Sequence, residues 1–276
     1  MSPLRVSPAP PLDAFVAQMW CGNGAGAWRG REWALPDAAV SLVFNLSGDT
    51  LRWHADADDL VGHTVSGAVV HGPQSRPYVL GERRGMATLG VCFRPGAAGA
   101  LLGVPAAELA DRHVSLESLW GRRAVLLRER LQASATAPQR IAILQRALLD
   151  GLRRPLLLQP AIAEALCRVD AAPSMAVDRV RAASGYGATR FNALFTEAVG
   201  LRPKLYTRLR RFETLLTRAR AEPQTDWAAL AAAAGYADQP HLHRDFHQFA
   251  GLTPAVWRRV PSRHVLHRSV DAGASS

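Results

Sequence analysis

The sequence predicts an α+β protein whose first half is rich in β-strands and ends in a collar of helices, and whose second half is all helix. In the first half, short apolar runs with many β-branched residues are bounded by turn residues such as Gly, Pro and Asp. This pattern is typical of a small antiparallel sandwich or barrel. The three clearest runs are AVSLVFNL at 39–46, GAVVHG at 67–72 and ATLGVCF at 87–93.

From about residue 97 the apolar residues recur at helical spacing instead. Five such segments, several of which open with Pro or Ser, predict the collar: 97–103, 105–112, 115–121, 123–132 and 139–152. The segment RRPLLLQP then joins the collar to the second half. We therefore predict three parts: a β-rich domain with its collar at 1–155, an all-α domain at 156–260 and a disordered tail at 261–276.

A short phrase occurs twice in the second half, fifty-one positions apart. FTEAVGLRPKLYTR at 195–208 and FHQFAGLTPAVWRR at 246–259 share a Phe, a Gly-Leu pair, a Pro, an aromatic residue and a closing Arg. Each phrase begins within the second of two predicted helices that are joined by a short turn. Because Gly commonly ends a helix and Pro commonly starts one, we predict two helix–turn–helix units. A longer helix at 202–223 connects them.

The second helix of each unit carries polar side chains on the face predicted to point outward. A helix presented in this way fits the major groove of DNA, where Asn, Gln and Arg form paired hydrogen bonds with base edges. A helical hairpin with a purely structural role is the alternative. The first helix offers Thr189, Arg190, Asn192 and Thr196, and the second offers Gln239, His241, His243 and Arg244.

The positive charge of the chain is concentrated in the half that contains the repeat. The formal net charge is +10, and arginine supplies every basic residue except Lys204. Residues 1–150 carry 15 basic and 13 acidic side chains, whereas residues 151–276 carry 18 and 10. A polyanionic partner explains this excess, and so does a merely solvated basic surface, so composition alone leaves both interpretations open.

Two blocks of the second half resemble the DNA-binding domain of the AraC family of bacterial transcription regulators. They are SGYGATRFNALFTEAVGLRPKLYTRLRR and DWAALAAAAGYADQPHLHRDFHQFAGLTPAVWRR. The resemblance covers residues 160–259 and implies sequence-specific promoter binding, with the two units reading successive major grooves. Carried over by position, the base-reading residues are Thr189, Asn192, Ala193, Gln239, Pro240, His243 and Arg244. For direct readout by two helices we also expect phosphate contacts from Arg190, Arg208 and Arg259.

The sequence departs from the family's pattern at three positions. Ala193 stands where the first base-reading helix often carries Arg, so one guanine contact is lost. Gly187 stands where a Ser usually caps that helix, at a cost of a few tenths of a kcal/mol. Pro240 fits the first turn of the second helix but offers no hydrogen-bond donor. We therefore expect the first unit to contribute less sequence discrimination than the second.

Residues 11–120 resemble an N-terminal domain found in many such regulators. The segments LPDAAVSLVFNLSG, HGPQSRP and GVCFRPGAAGALLGVPAAELADRHVSLESLWG carry this resemblance. In this family the first half usually binds a ligand or mediates dimerisation, often through a cupin-like barrel. Besides double-stranded DNA, the resemblance therefore allows a small-molecule effector, RNA polymerase and a second copy of the chain as partners. It implies a cytoplasmic protein, and no apolar stretch is long enough to predict a membrane span.

Signals for catalysis, metals or cofactors are weak throughout the sequence. His54, His63 and His71 lack the compact spacing with a carboxylate that a metal cupin needs, and His243 and His247 lack a third ligand. The three cysteines are widely separated, and no G-x-S-x-G, P-loop or paired C-x-x-C motif occurs. We predict no catalytic residue, no metal and no cofactor.

Two other classes of function stay open as alternatives. A cupin-like enzyme or ligand-binding protein with an appended helical module predicts activity without DNA. A helical adaptor for other proteins predicts that neutralising Arg244 leaves function intact. The aromatic residues of the first half bear on the first alternative, since they either line a pocket or fill the core. They are Trp33, Phe44, Trp53, Tyr78, Phe93 and Trp120.

Overall fold

The computed structural model describes residues 3–24, 30–83, 85–152, 158–260 and 266–270, and it confirms the α+β class with a β-rich first half and an all-α second half. Within these residues, eleven short strands pair antiparallel in two sheets. The strands are β1 (Leu4–Val6), β2 (Val16–Gly22), β3 (Glu32–Ala34), β4 (Ser41–Asn45), β5 (Thr50–His54), β6 (His63–Ser66), β7 (Ala68–His71), β8 (Tyr78–Leu80), β9 (Thr88–Phe93), β10 (His113–Ser115) and β11 (His267–Ser269).

The two sheets pack face to face. The larger sheet has the strand order β1-β2-β9-β4-β7-β10, and the smaller has the order β11-β3-β8-β5-β6. Val43 and Val69 on the inner face of the larger sheet pack against Leu51 of the smaller one. The next side chains along β4, Leu42 and Phe44, point to the opposite face and pack on the collar. The larger sheet is therefore buried on both faces at its centre.

The three strands predicted from sequence are the three neighbours at that centre, β9, β4 and β7. Because both of their faces are buried, their residues form continuous apolar runs, which are easy to recognise. The remaining strands were not predicted, since most are three to five residues long and alternate with exposed polar residues. Phe44 and Phe93 are fully buried, so these two aromatic residues fill the core.

Five helices form the collar and cover the outer face of the larger sheet. Leu127, Leu144 and Leu148 pack on that face with Leu42 and Phe44. The longest collar helix, which starts at Ala137, begins with a capping box, in which the Thr136 and Gln139 side chains each accept a hydrogen bond from the other's backbone N–H group. The helices are α1 (Ala98–Leu102), α2 (Ala106–Leu109), α3 (Leu116–Trp120), α4 (Arg122–Ala133) and α5 (Ala137–Gly151).

Seven helices make up the described part of the second half. They surround a separate apolar core that also takes in Leu35 and Ala38 from the loop after β3. No helix in the described part of the chain is long and apolar enough to cross a membrane. The helices are α6 (Pro160–Ala171), α7 (Val177–Ala182), α8 (Ala188–Val199), α9 (Pro203–Ala221), α10 (Trp227–Ala233), α11 (Gln239–Ala250) and α12 (Pro254–Arg259).

The prediction of a disordered tail is wrong for residues 266–270. Here β11 pairs with β3 of the first half, with His267 opposite Ala34. The buried guanidinium of Arg268 donates to the carbonyl oxygen of Ala250, 3.1 Å away, and lies over the Trp33 ring. An open strand edge supplies hydrogen bonds that the composition of the tail does not reveal. The rest of the predicted tail and the predicted boundary at 155 fall on residues outside the described ones.

A cluster of aromatic and histidine rings lies where β7 and β10 adjoin the smaller sheet. The Nδ1 atoms of His71 and His113 are 2.7 Å apart, so one ring donates to the other. The rings of Trp53 and Tyr78 lie 4.3 Å and 4.4 Å from that of His113. Burial lowers the pKa of His113 to about 4 and lowers the pKa of His71 well below its ordinary value. The charge of His63 lowers the pKa of His113 further, and the charge of His113 lowers that of His71. Both rings are therefore neutral at neutral pH.

This pair predicts that the fold loses stability in acid. Below pH 6.5 the unfolded histidines bind protons that the folded pair excludes, so the free energy of unfolding falls as the pH drops towards about 4. His113→Gln keeps a donor and an acceptor beside His71 but removes one titrating ring. The thermal midpoint, followed by circular dichroism between about pH 7 and about pH 4.5, should fall less in this variant. An equal fall in both proteins would contradict the assignment.

Candidate nucleic-acid interface

Two helix–turn–helix units, α7–α8 and α10–α11, confirm the repeated architecture predicted from sequence. The second helices, α8 and α11, each span twelve residues and end at a glycine with positive φ, Gly200 at 85° and Gly251 at 64°. Pro203 and Pro254 then occupy the first position of the following helix. The repeated phrase therefore encodes a helix stop and a helix start, because Gly adopts the left-handed conformation without strain and Pro needs no N–H partner there.

The aromatic residues of the phrase pack in the same way in both units. The rings of Phe195 and Tyr206 meet edge to face at 5.4 Å, and those of Phe246 and Trp257 at 6.2 Å. All four side chains are at least 99% buried. Phe212, farther along α9, contacts the ring of Phe246 at 5.0 Å. Since Tyr206 and Phe212 both belong to α9, this one helix is packed against both units.

The seven base-reading candidates all lie on exposed surface. On α8 the candidates recur at helical spacing on the face opposite Phe191 and Phe195, which are buried in the core. On α11 the exposed face lies opposite Leu242 and Phe246 in the same manner. The structure thus leaves both polar faces free of contacts with the core. The residues are Thr189, Asn192, Ala193, Gln239, Pro240, His243 and Arg244.

The two helices differ at their N-termini. Gly187 caps α8 with extended backbone and no side-chain hydrogen bond, as its sequence position predicts. At α11 the carboxylate of Asp238 accepts a hydrogen bond from the backbone N–H of His241, 2.6 Å away. An aspartate at this position also interacts favourably with the positive end of the helix dipole. The reading helix of the second unit, α11, therefore has the better-capped N-terminus.

Arg208 makes contacts that differ from the predicted phosphate contact. Its guanidinium donates to the buried carboxylate of Asp245 at 2.5 Å and to the side-chain oxygen of Gln248 at 2.7 Å. The Tyr236 hydroxyl donates to the same carboxylate at 3.2 Å, and burial together with this carboxylate raises the pKa of Tyr236. Arg208 therefore ties α9 to α11 inside the protein, whereas Arg190 and Arg259 are exposed.

Sequence reasoning missed Asp245, although its spacing contained a signal. It stands three residues after Leu242 and four before Phe249, on the same buried face of α11. A charged residue on a buried face requires a partner of opposite charge, and Arg208 fills that role. Arg220 and Arg258 also lie over the aromatic rings of Trp257 and Trp227. Part of the basic excess of this half is therefore structural.

The histidines of α11 are spread over its surface. The ring of His241 packs against that of Tyr236 with centroids 5.1 Å apart, while His243 and His247 are exposed on α11. Over the described stretches of the chain, no group of three or more His, Cys, Asp or Glu side chains is arranged to hold a metal ion.

Comparison with known proteins identifies two regions. Residues 180–260 match the family described as "Helix-turn-helix domain", and residues 4–115 match "Domain of unknown function (DUF6597)". No curated protein sequence matches the chain.

Among solved structures, the chain is similar to ToxT from Vibrio cholerae. An apo form from strain SCE256 shares 11% identity over 89% of this chain and 97% of that chain, with a TM-score of 0.47. A wild-type form bound to an unsaturated fatty acid shares 10% identity over 83% and 91%, with a TM-score of 0.45. Identity this low carries no correspondence between individual residues.

The helix-turn-helix match extends from α7 to the end of α12, so it spans both units and the helix that connects them. The matched residues of the first half include ten of the strands but none of the longer collar helices. The chain therefore carries an AraC-type helix-turn-helix domain, which is a DNA-binding module of transcription regulators, behind an N-terminal domain of a family with no known function.

Proposed function

We propose that this chain is a cytoplasmic transcription regulator that reads two successive major grooves of its operator with α8 and α11. The observation that carries the proposal is the pair of exposed polar helix faces, each at the equivalent position of a repeated unit. A single helix–turn–helix reads only a few base pairs, whereas two units on one chain read two half-sites. One monomer can then recognise an asymmetric operator.

Rigid spacing between the two helices supports the proposal. Half-sites on one side of the duplex lie about one helical turn apart, roughly 34 Å, so the two reading helices must be held at a fixed separation. The helix α9 packs against both units through Tyr206 and Phe212. The ion pair of Arg208 with Asp245 adds a polar connection between α9 and α11.

Each candidate residue has a chemical role in this arrangement. Asn192 and Gln239 suit adenine, Arg244 suits guanine, and the exposed apolar surfaces of Ala193 and Pro240 suit a thymine methyl group. Arg190 and Arg259, which are exposed, suit backbone phosphates. Contacts to phosphate position the protein, and contacts to base edges select the sequence.

The first half would then control the reading units, either by binding a small molecule or by pairing with a second copy of the chain. Physical connections between the halves support such control, since β11 pairs with β3 and Arg268 bonds the last carbonyl oxygen of α11. Contact with RNA polymerase would follow from the position of the protein at a promoter.

Sequence-selective binding tests the proposal directly. Genomic fragments bound by the purified chain, once sequenced, should share a motif with two half-sites about one helical turn apart. Arg244→Ala should lose about 1–3 kcal/mol of binding free energy and relax selectivity at the half-site read by α11. Arg130→Ala, which removes an arginine that is also exposed but lies on α4, is the control. No enriched motif, or equal losses in both variants, would refute the proposal.

The alanine in the first reading helix predicts a gain of function. Ala193→Arg places a guanidinium on the exposed face of α8, where it can bond the N7 and O6 atoms of a guanine. Selection with this variant should yield a new G preference in the first half-site, worth about 1–3 kcal/mol over other bases. Ala135→Arg adds the same charge in the loop after α4 and is the control. It should create no new base preference in the selected sequences.

Two arginines of the second half should respond differently to removal. Arg208→Ala leaves the buried carboxylate of Asp245 without its counter-charge, so the free energy of unfolding should fall by roughly 1–3 kcal/mol. Arg190→Ala should change stability by no more than about 0.5 kcal/mol. It should instead weaken binding to all sequences and reduce the slope of log affinity against log salt by about 1. Thermal melts and binding at several salt concentrations separate the two effects, and the reverse pattern would contradict the assignment.

A further inference from the structure

A cavity of ≈ 800 Å³ lies between the collar and the first helix–turn–helix unit. Its walls come from the α1–α2 turn, from α3, from the start of α6 and from α8. Pockets for small molecules usually measure about 300–1,000 Å³. Six apolar side chains of the lining are only partly buried. These side chains are Val104, Leu119, Trp120, Leu158, Leu194 and Ala198.

The space between the two sheets is too small for the same purpose. Val43, Leu51 and Val69 fill the inner faces, and the cavity beside them measures ≈ 10 Å³. A volume of this size holds about one water molecule. The larger of these two cavities therefore lies outside the sandwich, against the DNA-binding half.

We propose that this cavity binds a neutral, largely apolar small molecule that carries a hydrogen-bond acceptor such as a carbonyl oxygen. The polar side chains of the lining are Arg123, Gln159 and Glu197. The charges of Arg123 and Glu197 offset each other, so the lining has no net charge and does not favour a charged ligand. Arg123 is already held by the carbonyl oxygen of Ala147 and by the ring of Trp120, 4.6 Å away. Arg123 can therefore donate a hydrogen bond to a neutral acceptor group of the ligand, and the ligand does not need a negative charge.

The position of the cavity connects the ligand to one reading helix. Leu194 and Ala198 line the cavity, while Asn192 and Ala193 lie on the exposed face of the same helix. The end of α8 approaches the first half closely at Gly200. A Cβ atom at this position would come within 2.7 Å of the carbonyl oxygen of Ala106, so only glycine fits there. A ligand that fills the cavity replaces water along the middle of α8 and stabilises one position of that helix.

The ligand should thus change DNA binding at the first half-site more than at the second. This regulatory step rests on the proposed function, whereas the binding of a ligand does not. The coupling is reciprocal, so DNA that contains the first half-site should also change the affinity for the ligand.

Nile red is a suitable probe, because it is neutral, planar and mostly apolar and carries a carbonyl oxygen. Titrated into the full chain, it should gain fluorescence with a single saturable site. Val104→Trp fills the cavity from the collar and should weaken binding by roughly tenfold or more. Ala198→Phe fills it from the opposite wall and should act likewise, provided both variants melt like the unmodified chain. Val125→Trp adds the same bulk on the exposed face of α4 and should leave binding unchanged.

Three results of this titration would overturn the cavity as a site. They are unsaturable fluorescence, equal affinity in the filling variants and the control, and tighter binding of the anionic dye 8-anilinonaphthalene-1-sulfonate than of Nile red. Loss of the Nile red signal as the chain is concentrated would overturn it as well, because a second copy of the chain would then cover the cavity.

The regulatory step is tested on an operator selected with the unmodified chain. Saturating Nile red should change protection of the first half-site in the unmodified chain and in Val125→Trp, but not in Val104→Trp. Saturable Nile red binding with unchanged protection would overturn the coupling. Saturable Nile red binding by a chain that selects no DNA motif would refute the proposed function, and the site would stand without it.

Discussion

The packing of α9 between the two helix–turn–helix units is the constraint on which the DNA-binding half depends. Tyr206 closes the core of the first unit and Phe212 that of the second, and both side chains are almost fully buried. Because interiors are close-packed, neither unit can turn without displacing these rings. The Arg208–Asp245 ion pair fixes α11 to the same helix at a buried position. Two short helix pairs that would be marginal alone thereby become one rigid body with two outward faces.

The second constraint is the return of the chain to the first half. After α12 the polypeptide adds β11 to the edge of the smaller sheet, and Leu266 enters the core of the helical half. Arg268 links this strand to the end of α11 and to Trp33. The α2 region meanwhile abuts the end of α8 near Gly200. Each reading helix therefore has its own connection to the first half, at α2 for α8 and through β11 and β3 for α11.

How much of the fold was predictable varied with burial. The central strands β4, β7 and β9 were recognised because burial on both faces makes their sequences continuously apolar. Strands such as β3 and β10 are only three residues long and mostly half-exposed, so their sequences carry almost no periodic pattern. The repeated units were recognised from their helix ends. Gly200 and Gly251 adopt a positive φ after one helix, and Pro203 and Pro254 start the next helix, where the backbone N–H has no hydrogen-bond partner within the helix. These are local requirements that only a few residue types satisfy.

The sequence by itself determined which helix faces are polar and exposed, since helical periodicity separates Asn192 and Arg244 from Phe195 and Phe246. It also determined the glycine stops, the proline starts and the uneven charge of the two halves. Only the tertiary structure decided which arginines form ion pairs inside the protein. The sequence does not distinguish Arg208 from Arg244, whereas the structure pairs Arg208 with the buried carboxylate of Asp245. The pairing of β11 with β3 and the cavity against α8 were decided at that level too. Both arise where residues distant in sequence meet, and no local pattern records such a meeting.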